Sequence, residues 1–190
     1  DKISNELTPM VATARLIKQE HPDASVVFIG PCASKKLEAS RRTVRSDVDF
    51  VITFEELTGM FEAKGILLDE IKAMDEMKDA TAAGRGYGVA GGVANAIKEC
   101  IEQYYPGTPV NIQHAESLAE CKKALLLAKA GKMNGCLIEG MACPGGCIAG
   151  AGTNIAIPVA AKAVDKFKNE AEKKVPDESV DQEMVELEKE

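Results

Sequence analysis

No apolar run in this chain of 190 residues approaches the ~18 residues of a membrane span. No signal peptide is legible and nothing else marks the chain as secreted. Its six cysteines are therefore expected in a reducing, cytoplasmic compartment and in metal chemistry rather than in disulfides. Basic excess is missing too: the formal net charge is −7, which removes the electrostatic footprint of a nucleic-acid binder. Residues 177–190 hold seven acids and one lysine, so −6 of that charge sits there and the body is near −1. The stretch 176–190 reads as an acidic, solvated C-terminal tail after the Val175-Pro176 break. Histidine is scarce, and His21 and His114 lie far in sequence from the paired cysteines, which disfavours the usual zinc sets.

What is present is Met141-Ala142-Cys143-Pro144-Gly145-Gly146-Cys147. Two cysteines four apart, with Pro-Gly-Gly between them, make a tight backbone able to aim both sulfurs at one point. Gly145 and Gly146 permit φ > 0 and the approach of a bulky inorganic group to the main chain. The segment follows the apolar run Gly135-Cys136-Leu137-Ile138 and leads into Gly150-Ala151-Gly152. Soft thiolates on a loop at a strand end are how iron–sulfur clusters are commonly held, and the plain alternative is a pair of packed thiols. A radical-SAM loop would need a third cysteine three residues after Cys147, where Gly150 stands.

The second informative stretch is Val26-Val27-Phe28-Ile29-Gly30-Pro31-Cys32-Ala33-Ser34-Lys35-Lys36-Leu37-Glu38. Cys32 stands just past an apolar strand, where ligands of open α/β sheets gather. Lys35 is placed to set an ammonium beside an anionic ligand, or is simply solvated. Cys100, Cys121 and Cys136 read as ordinary structural residues. Gly86-Tyr87-Gly88-Val89-Ala90-Gly91 is literally G-x-G-x-x-G, but no strand precedes it, so the dinucleotide-binding reading fails on context.

Patterning predicts a helix over 9–20 with Thr8 as cap and Pro9 at its first position, then a buried strand over 26–29. A strand over 48–52 runs into the capping box Thr53-Phe54-Glu55-Glu56, which opens a helix stopped by Gly65. Residues 67–83 are ambiguous. Further expectations are a helix over 91–105 with Val93, Ile97 and Ile101 on its apolar face, a strand over 110–113 and a helix over 118–130 ended by Gly131. A strand over 136–138 and a final helix over 157–174 complete the chain. Strands alternating with helices imply an α/β fold with parallel, helix-covered sheets.

The two cysteine segments resemble the second and third signature motifs of the [FeFe]-hydrogenase catalytic domain. Those motifs run roughly M-P-C-x-x-K-x-x-E and E-x-M-A-C-x-x-G-C-x-x-G-G-G-x-P. Pro31, Cys32, Lys35 and Glu38 match the former; Glu139, Met141, Ala142, Cys143, Gly146, Cys147, Gly150 and Gly152 match the latter. The stretches Asp47-Val48-Asp49-Phe50-Val51-Ile52-Thr53 and Gly88-Val89-Ala90-Gly91-Gly92-Val93 are also similar to the family, and the resemblance covers about residues 3–165. It implies two small intertwined lobes, each a parallel sheet covered by helices, with the cluster in the cleft. The family domain would occupy 1–175, with about 1–83 carrying the Cys32 motif and 84–175 the Cys143/Cys147 motif.

The resemblance further implies that Cys32, Cys143 and Cys147 are three of four ligands to the [4Fe–4S] part of the H-cluster. Cys147 would bridge to the two-iron subcluster where hydrogen is made or split. Lys35 would hydrogen-bond a cyanide of that subcluster, while Gly30, Pro31, Tyr87 and Met141 would line its pocket. Ser4 would join the proton-transfer chain. Implied partners are a ferredoxin-type electron carrier or fused ferredoxin domains, and the hydrogenase maturation proteins.

Departures from the family are equally specific. The first motif, T-S-C-C-P, with the fourth ligand and the proton-shuttling cysteine, is absent from these residues. The chain begins at Asp1 without Met and reads as a fragment, expected to be inactive alone. Gly30 replaces the usual Met, which would leave a gap beside the two-iron site. Ala90 replaces a Ser or Thr, and the last motif ends in Gly150-Ala151-Gly152-Thr153-Asn154 without its proline. Such drift suits a divergent or sensory branch. The alternative is an iron–sulfur protein of the same fold without the two-iron subcluster, as in eukaryotic iron–sulfur assembly relatives, or an electron-transfer relative.

Overall fold

The computed structural model describes residues 3–41, 46–72 and 80–176. Residues 177–190 of the acidic tail, and residues 73–79 of the ambiguous polar stretch, lie outside the described residues. The chain forms two compact units. The first takes the described residues up to Ile71 together with Ala151–Asn154, and the second takes those of Lys72–Gly150 and Ile155–Pro176.

The first unit runs α1 (Pro9–Glu20), β1 (Val27–Gly30), α2 (Ser34–Ser40), β2 (Phe50–Thr53) and α3 (Phe54–Ala63), followed by a 3-10 turn at Leu68–Glu70. Strands β1 and β2 pair in parallel, Val27 opposite Phe50 and Gly30 opposite Thr53. The Thr53–Glu56 capping box forms as expected: Thr53 N donates to Glu56 Oε2 at 2.8 Å and Glu56 N to Thr53 Oγ1 at 3.2 Å. Gly65 ends that helix region at φ 67°, a conformation that disfavours a side chain. Pro9 opens α1 as expected, but the Thr8 hydroxyl makes no cap and instead donates to Glu38 Oε1 on α2.

The expected burial of β1 is half right. Phe28 is half-buried and Gly30 buried, whereas Val27 and Ile29, with their neighbour Phe50, are exposed. The buried apolar side chains of this unit are instead Met10, Val11, Ala12 and Ala14 on α1. Asp49 ties these elements together. Its Oδ2 accepts from Val26 N at 2.6 Å and lies 3.0 Å from Lys18 Nζ on α1. The Val26 amide, then the Lys18 ammonium, hold the Asp49 carboxyl below the ordinary aspartate value of 3.8. A depressed folded-state pKa adds stability that is present above the unfolded value and is lost as pH falls through the folded one. Urea midpoints of this unit should therefore drop on acidification past the ordinary aspartate range. Asp49→Asn should lower the neutral-pH midpoint and shrink the pH dependence. A variant with the wild-type pH profile would remove Asp49 from the account.

The second unit runs α4 (Ala82–Arg85), a 3-10 turn at Gly86–Gly88, α5 (Gly92–Tyr104), β3 (Asn111–Glu116), α6 (Leu118–Lys129), β4 (Cys136–Met141), a 3-10 turn at Cys147–Ala149 and α7 (Ile157–Asn169). Strands β3 and β4 are parallel over their full length, His114 facing Glu139 and Glu116 facing Met141. Both strands exceed the apolar runs that announced them, because backbone pairing continues through His114, Glu116 and Glu139. Gly131, at φ 73°, follows α6 as expected.

Helix α5 corrects the expected apolar face. Ala94 and Ala96 are buried, while Ile97 is 36% exposed. Small residues allow the close approach: Ala96 packs with Ala83 and Val175, and Tyr87 and Cys100 lie against them. The final helix stops at Asn169, short of the expected 174, because the next residues serve α4. Ala82 N donates to Lys173 O at 2.8 Å and Ala83 N to Lys174 O at 2.9 Å, satisfying donors that a helix start leaves open. Arg85 secures α7 from the other side, its guanidinium 4.1 Å from the Phe167 ring centroid and its Nη1 2.9 Å from Phe167 O.

Candidate metal centre

In the first unit Cys32 stands two residues past the end of β1 and is partly buried, and Lys35 N donates to its carbonyl at 3.3 Å as α2 begins. Lys35 Nζ lies 2.6 Å from Glu38 Oε2, both side chains being mostly buried at 22% and 23% exposure. Glu38 thus holds Lys35 with one oxygen and the Thr8 hydroxyl with the other. An ammonium carries three N–H donors, and Glu38 engages one. Ser4 is exposed, its hydroxyl oxygen accepting from Glu6 N at 3.2 Å.

The gap expected at Gly30 is filled from its own strand. A Cβ at Gly30 would lie 2.8 Å from Phe28 Cε1, so the Phe28 ring, two residues back on the same face, takes the space of the missing side chain. The other side of this loop is closed by the end of the third motif. Gly152 N donates to Pro31 O at 2.9 Å, and a Cβ there would lie 2.4 Å from Thr53 Cβ. Only glycine brings this backbone so close to Thr53 while bonding the residue beside Cys32.

In the second unit β4 delivers Met141, then Cys143 and Cys147, both partly buried. Gly145 and Gly146 have φ 94° and 89°, and Gly146 N returns to Cys143 O at 3.0 Å, closing the turn between the thiols. Cys147 opens the 3-10 turn and its carbonyl accepts from Gly150 N at 2.9 Å. The loop is held at its middle. Glu116 Oε2 accepts from Gly145 N at 2.9 Å, and Ala90 N donates to Gly145 O at 3.0 Å. Gly146 is buried against residues 88–90; a Cβ there would lie 2.4 Å from Ala90 N.

Glu139 is 8% exposed and its carboxylate accepts from Gly91 N at 2.6 Å, Val93 N at 3.0 Å and Ala94 N at 3.2 Å. His114 Nδ1 stands 3.3 Å from its Oε2. Met141 is half-buried, with its carbonyl accepting from Ser117 N at 2.8 Å. Tyr87 is partly buried against the core of this unit, and burial, reinforced by Cys100, pushes its phenol above 10.0.

None of the six cysteines forms a disulfide. Cys100 packs in the core, Cys121 Sγ lies 3.6 Å from Ala115 O and Cys136 Sγ 3.4 Å from Asn111 Nδ2. Within either unit, no three His, Cys, Asp or Glu side chains among the described residues group as a metal site. Cys32 in the first unit, and Cys143 and Cys147 in the second, each sit on a glycine-bordered loop past a strand end, and thiolates so placed are the soft donors that iron–sulfur clusters take. The sequence marked Glu139 only as a motif match and gave no place to Glu116 or His114; strand register sets Glu116 against the loop and His114 beside Glu139.

The fold is that of the [FeFe]-hydrogenase catalytic domain. An [FeFe]-hydrogenase whose structure concerns oxygen inactivation of the H cluster superposes with a TM-score of 0.62 at 19% identity, covering 97% of this chain and 64% of that one. A variant of the apo [FeFe]-hydrogenase from Chlamydomonas reinhardtii gives 0.60 at 21% identity, with 94% and 62% coverage. The chain matches the iron only hydrogenase large subunit, C-terminal domain, over residues 1–151, and it belongs to that family. A segment of 53 residues, 28% of this chain, is 43% identical to 11% of the cytosolic Fe-S cluster assembly factor NAR1 of Kluyveromyces lactis. The chain thus spans less than two thirds of these structural neighbours and a small part of that curated relative. No helix among the described residues is long and apolar enough to cross a membrane.

Proposed function

We propose that this chain is the cluster-binding part of an [FeFe]-hydrogenase, with Cys32, Cys143 and Cys147 as ligands of one [4Fe–4S] cluster and Cys147 also facing a two-iron subcluster. The observation that carries the reading is the Gly152–Pro31 hydrogen bond. It joins the end of the third cysteine motif to the residue beside Cys32. When bound, the cluster pair supplies the reversible reduction of two protons to dihydrogen by two electrons. The protein's own work is to hold and tune it. Lys35, steadied by Glu38, would donate to an anionic ligand of the subcluster, with Gly30, Pro31, Tyr87 and Met141 as pocket residues and Ser4 as a proton-path hydroxyl. Reduced ferredoxin-type carriers in the cytoplasm would supply electrons, and the hydrogenase maturation proteins would deliver the two-iron unit.

Two observations favour a second reading. The likeness to an iron–sulfur assembly factor, with the Phe28 ring in the space next to Gly30, supports a protein of this fold that carries iron–sulfur clusters without the two-iron unit. The two readings diverge at Lys35. Its charge-assisted bond is worth ~1.5–3 kcal/mol, and its loss from a desolvated site costs at least that. In the intact protein matured with the hydrogenase assembly machinery, infrared bands of CO and CN⁻ ligands should appear. Lys35→Asn should diminish them by ten-fold or more while the [4Fe–4S] signal stays. Intact, matured protein with iron but no such bands would overturn the hydrogenase reading.

A further inference from the structure

We propose that Glu139 is the positioning residue of the Cys143–Cys147 loop. Its carboxylate is buried, yet it touches neither cysteine. It gathers the amides of Gly91, Val93 and Ala94 at the start of α5, an end that favours negative charge. Those amides fix the start of α5, directly after residues 88–90, against which the cysteine loop is seated. Ala90 N bonds Gly145 O, and Gly146 fits against Ala90 N, Val89 C and Gly88 O with no room for a Cβ. One carboxylate on β4 therefore sets the platform that gives the two thiols, four and eight residues downstream, their spacing. This differs from the support given by Glu116, which bonds the loop itself through Gly145 N and is exposed. Three amide donors and His114, opposite it in register, surround the carboxylate.

The proposal rests on Cys143 and Cys147 being metal ligands, and the test separates the two claims. The 190-residue chain is titrated with Cd²⁺ alone, followed by the sulfur-to-metal absorption band, beside Glu139→Gln and Cys143→Ser. Amide exchange at Gly91, Val93 and Ala94 is read in parallel. Glutamine keeps the shape but turns an NH₂ group toward one set of amide donors. Glu139→Gln should speed exchange at those amides by at least ten-fold. It should also weaken the part of Cd²⁺ binding that Cys143→Ser removes by about ten-fold, the lower end of what loss of a supporting partner costs a metal site. Exchange in the second half of α5 should stay unchanged. Should Glu139→Gln fail to fold, the unaltered chain still decides, because binding linkage requires Cd²⁺ to slow exchange at the same three amides. Undiminished Cd²⁺ affinity in Glu139→Gln, unaltered amide exchange in it, or no slowing by Cd²⁺ in the unaltered chain would each overturn the positioning role. A Cd²⁺ signal indifferent to Cys143→Ser would instead defeat the ligand reading and leave the clamp to be judged on the Glu139→Gln amides.

Discussion

Replacing Cys147 by serine should strip the intact protein of most of its cluster iron, whereas serine at Cys121 or Cys136 should leave iron unchanged. A hydroxyl is a far poorer ligand than a thiolate for iron in a sulfide cluster. Loss of a mere outer partner already costs a metal site ~10–100-fold in affinity, and a direct ligand should cost more. Cys147 carries additional weight in the proposed arrangement, since it would face both subclusters. Cys121 and Cys136, in contrast, have structural surroundings: the former sits between the Ala115 and Met141 carbonyls, the latter beside Asn111 at the start of β4. Iron and acid-labile sulfide per chain, measured after anaerobic maturation of the three variants, check the claim. Full iron retention in Cys147→Ser would remove that residue from the ligand set.

The largest stability effect is expected at Gly146. A methyl group there would sit 2.4 Å from Ala90 N, 2.7 Å from Val89 C and 2.8 Å from Gly88 O, all backbone atoms that cannot swing aside. The backbone itself is at φ 89° and ψ −161°, a region open almost solely to glycine and costing ~1–3 kcal/mol for other residues. Strain and overlap together should cost Gly146→Ala more than ~3 kcal/mol, in the range reserved for severe lesions. Gly131→Ala is the matched control: it also has positive φ, at 73°, but a Cβ there meets only Asn134 Nδ2 at 3.9 Å. Its cost should stay near the ~1 kcal/mol of a glycine C-cap replaced by alanine. Urea unfolding followed by amide exchange in β3 and β4 distinguishes the two, and equal costs would refute the account of close seating.

Which parts of this protein were legible beforehand follows from the range of the interactions involved. The Thr53–Glu56 capping box, Pro9 at a helix start and Gly131 after a helix are local devices whose two partners lie within a few residues, so their signals survive in the linear pattern. The placement of Cys32, Cys143 and Cys147 just past strands was equally open to reading, because an apolar run followed by Gly-Pro or a tight glycine turn announces its own end. Where side-chain size competes with hydrophobicity, the pattern misled. Ile97 looks like a core residue of α5, yet Ala94 and Ala96 are buried, since a close helix contact selects small side chains.

The sequence by itself therefore determined the α/β alternation, the thiolate loops and, through the length and specificity of the two motifs, the family. Tertiary structure alone decided what supports those loops. Glu116 and Glu139 lie on different strands, and parallel register sets Glu116 against the cysteine loop itself and Glu139 against the amides at the start of α5. Phe28 fills the space at Gly30 because strand alternation points both to one face. Gly152 reaches Pro31 across 121 positions of chain, and no periodicity encodes a pairing of that range. Such contacts depend on how finished elements pack, and a single chain read residue by residue carries no record of distance in space.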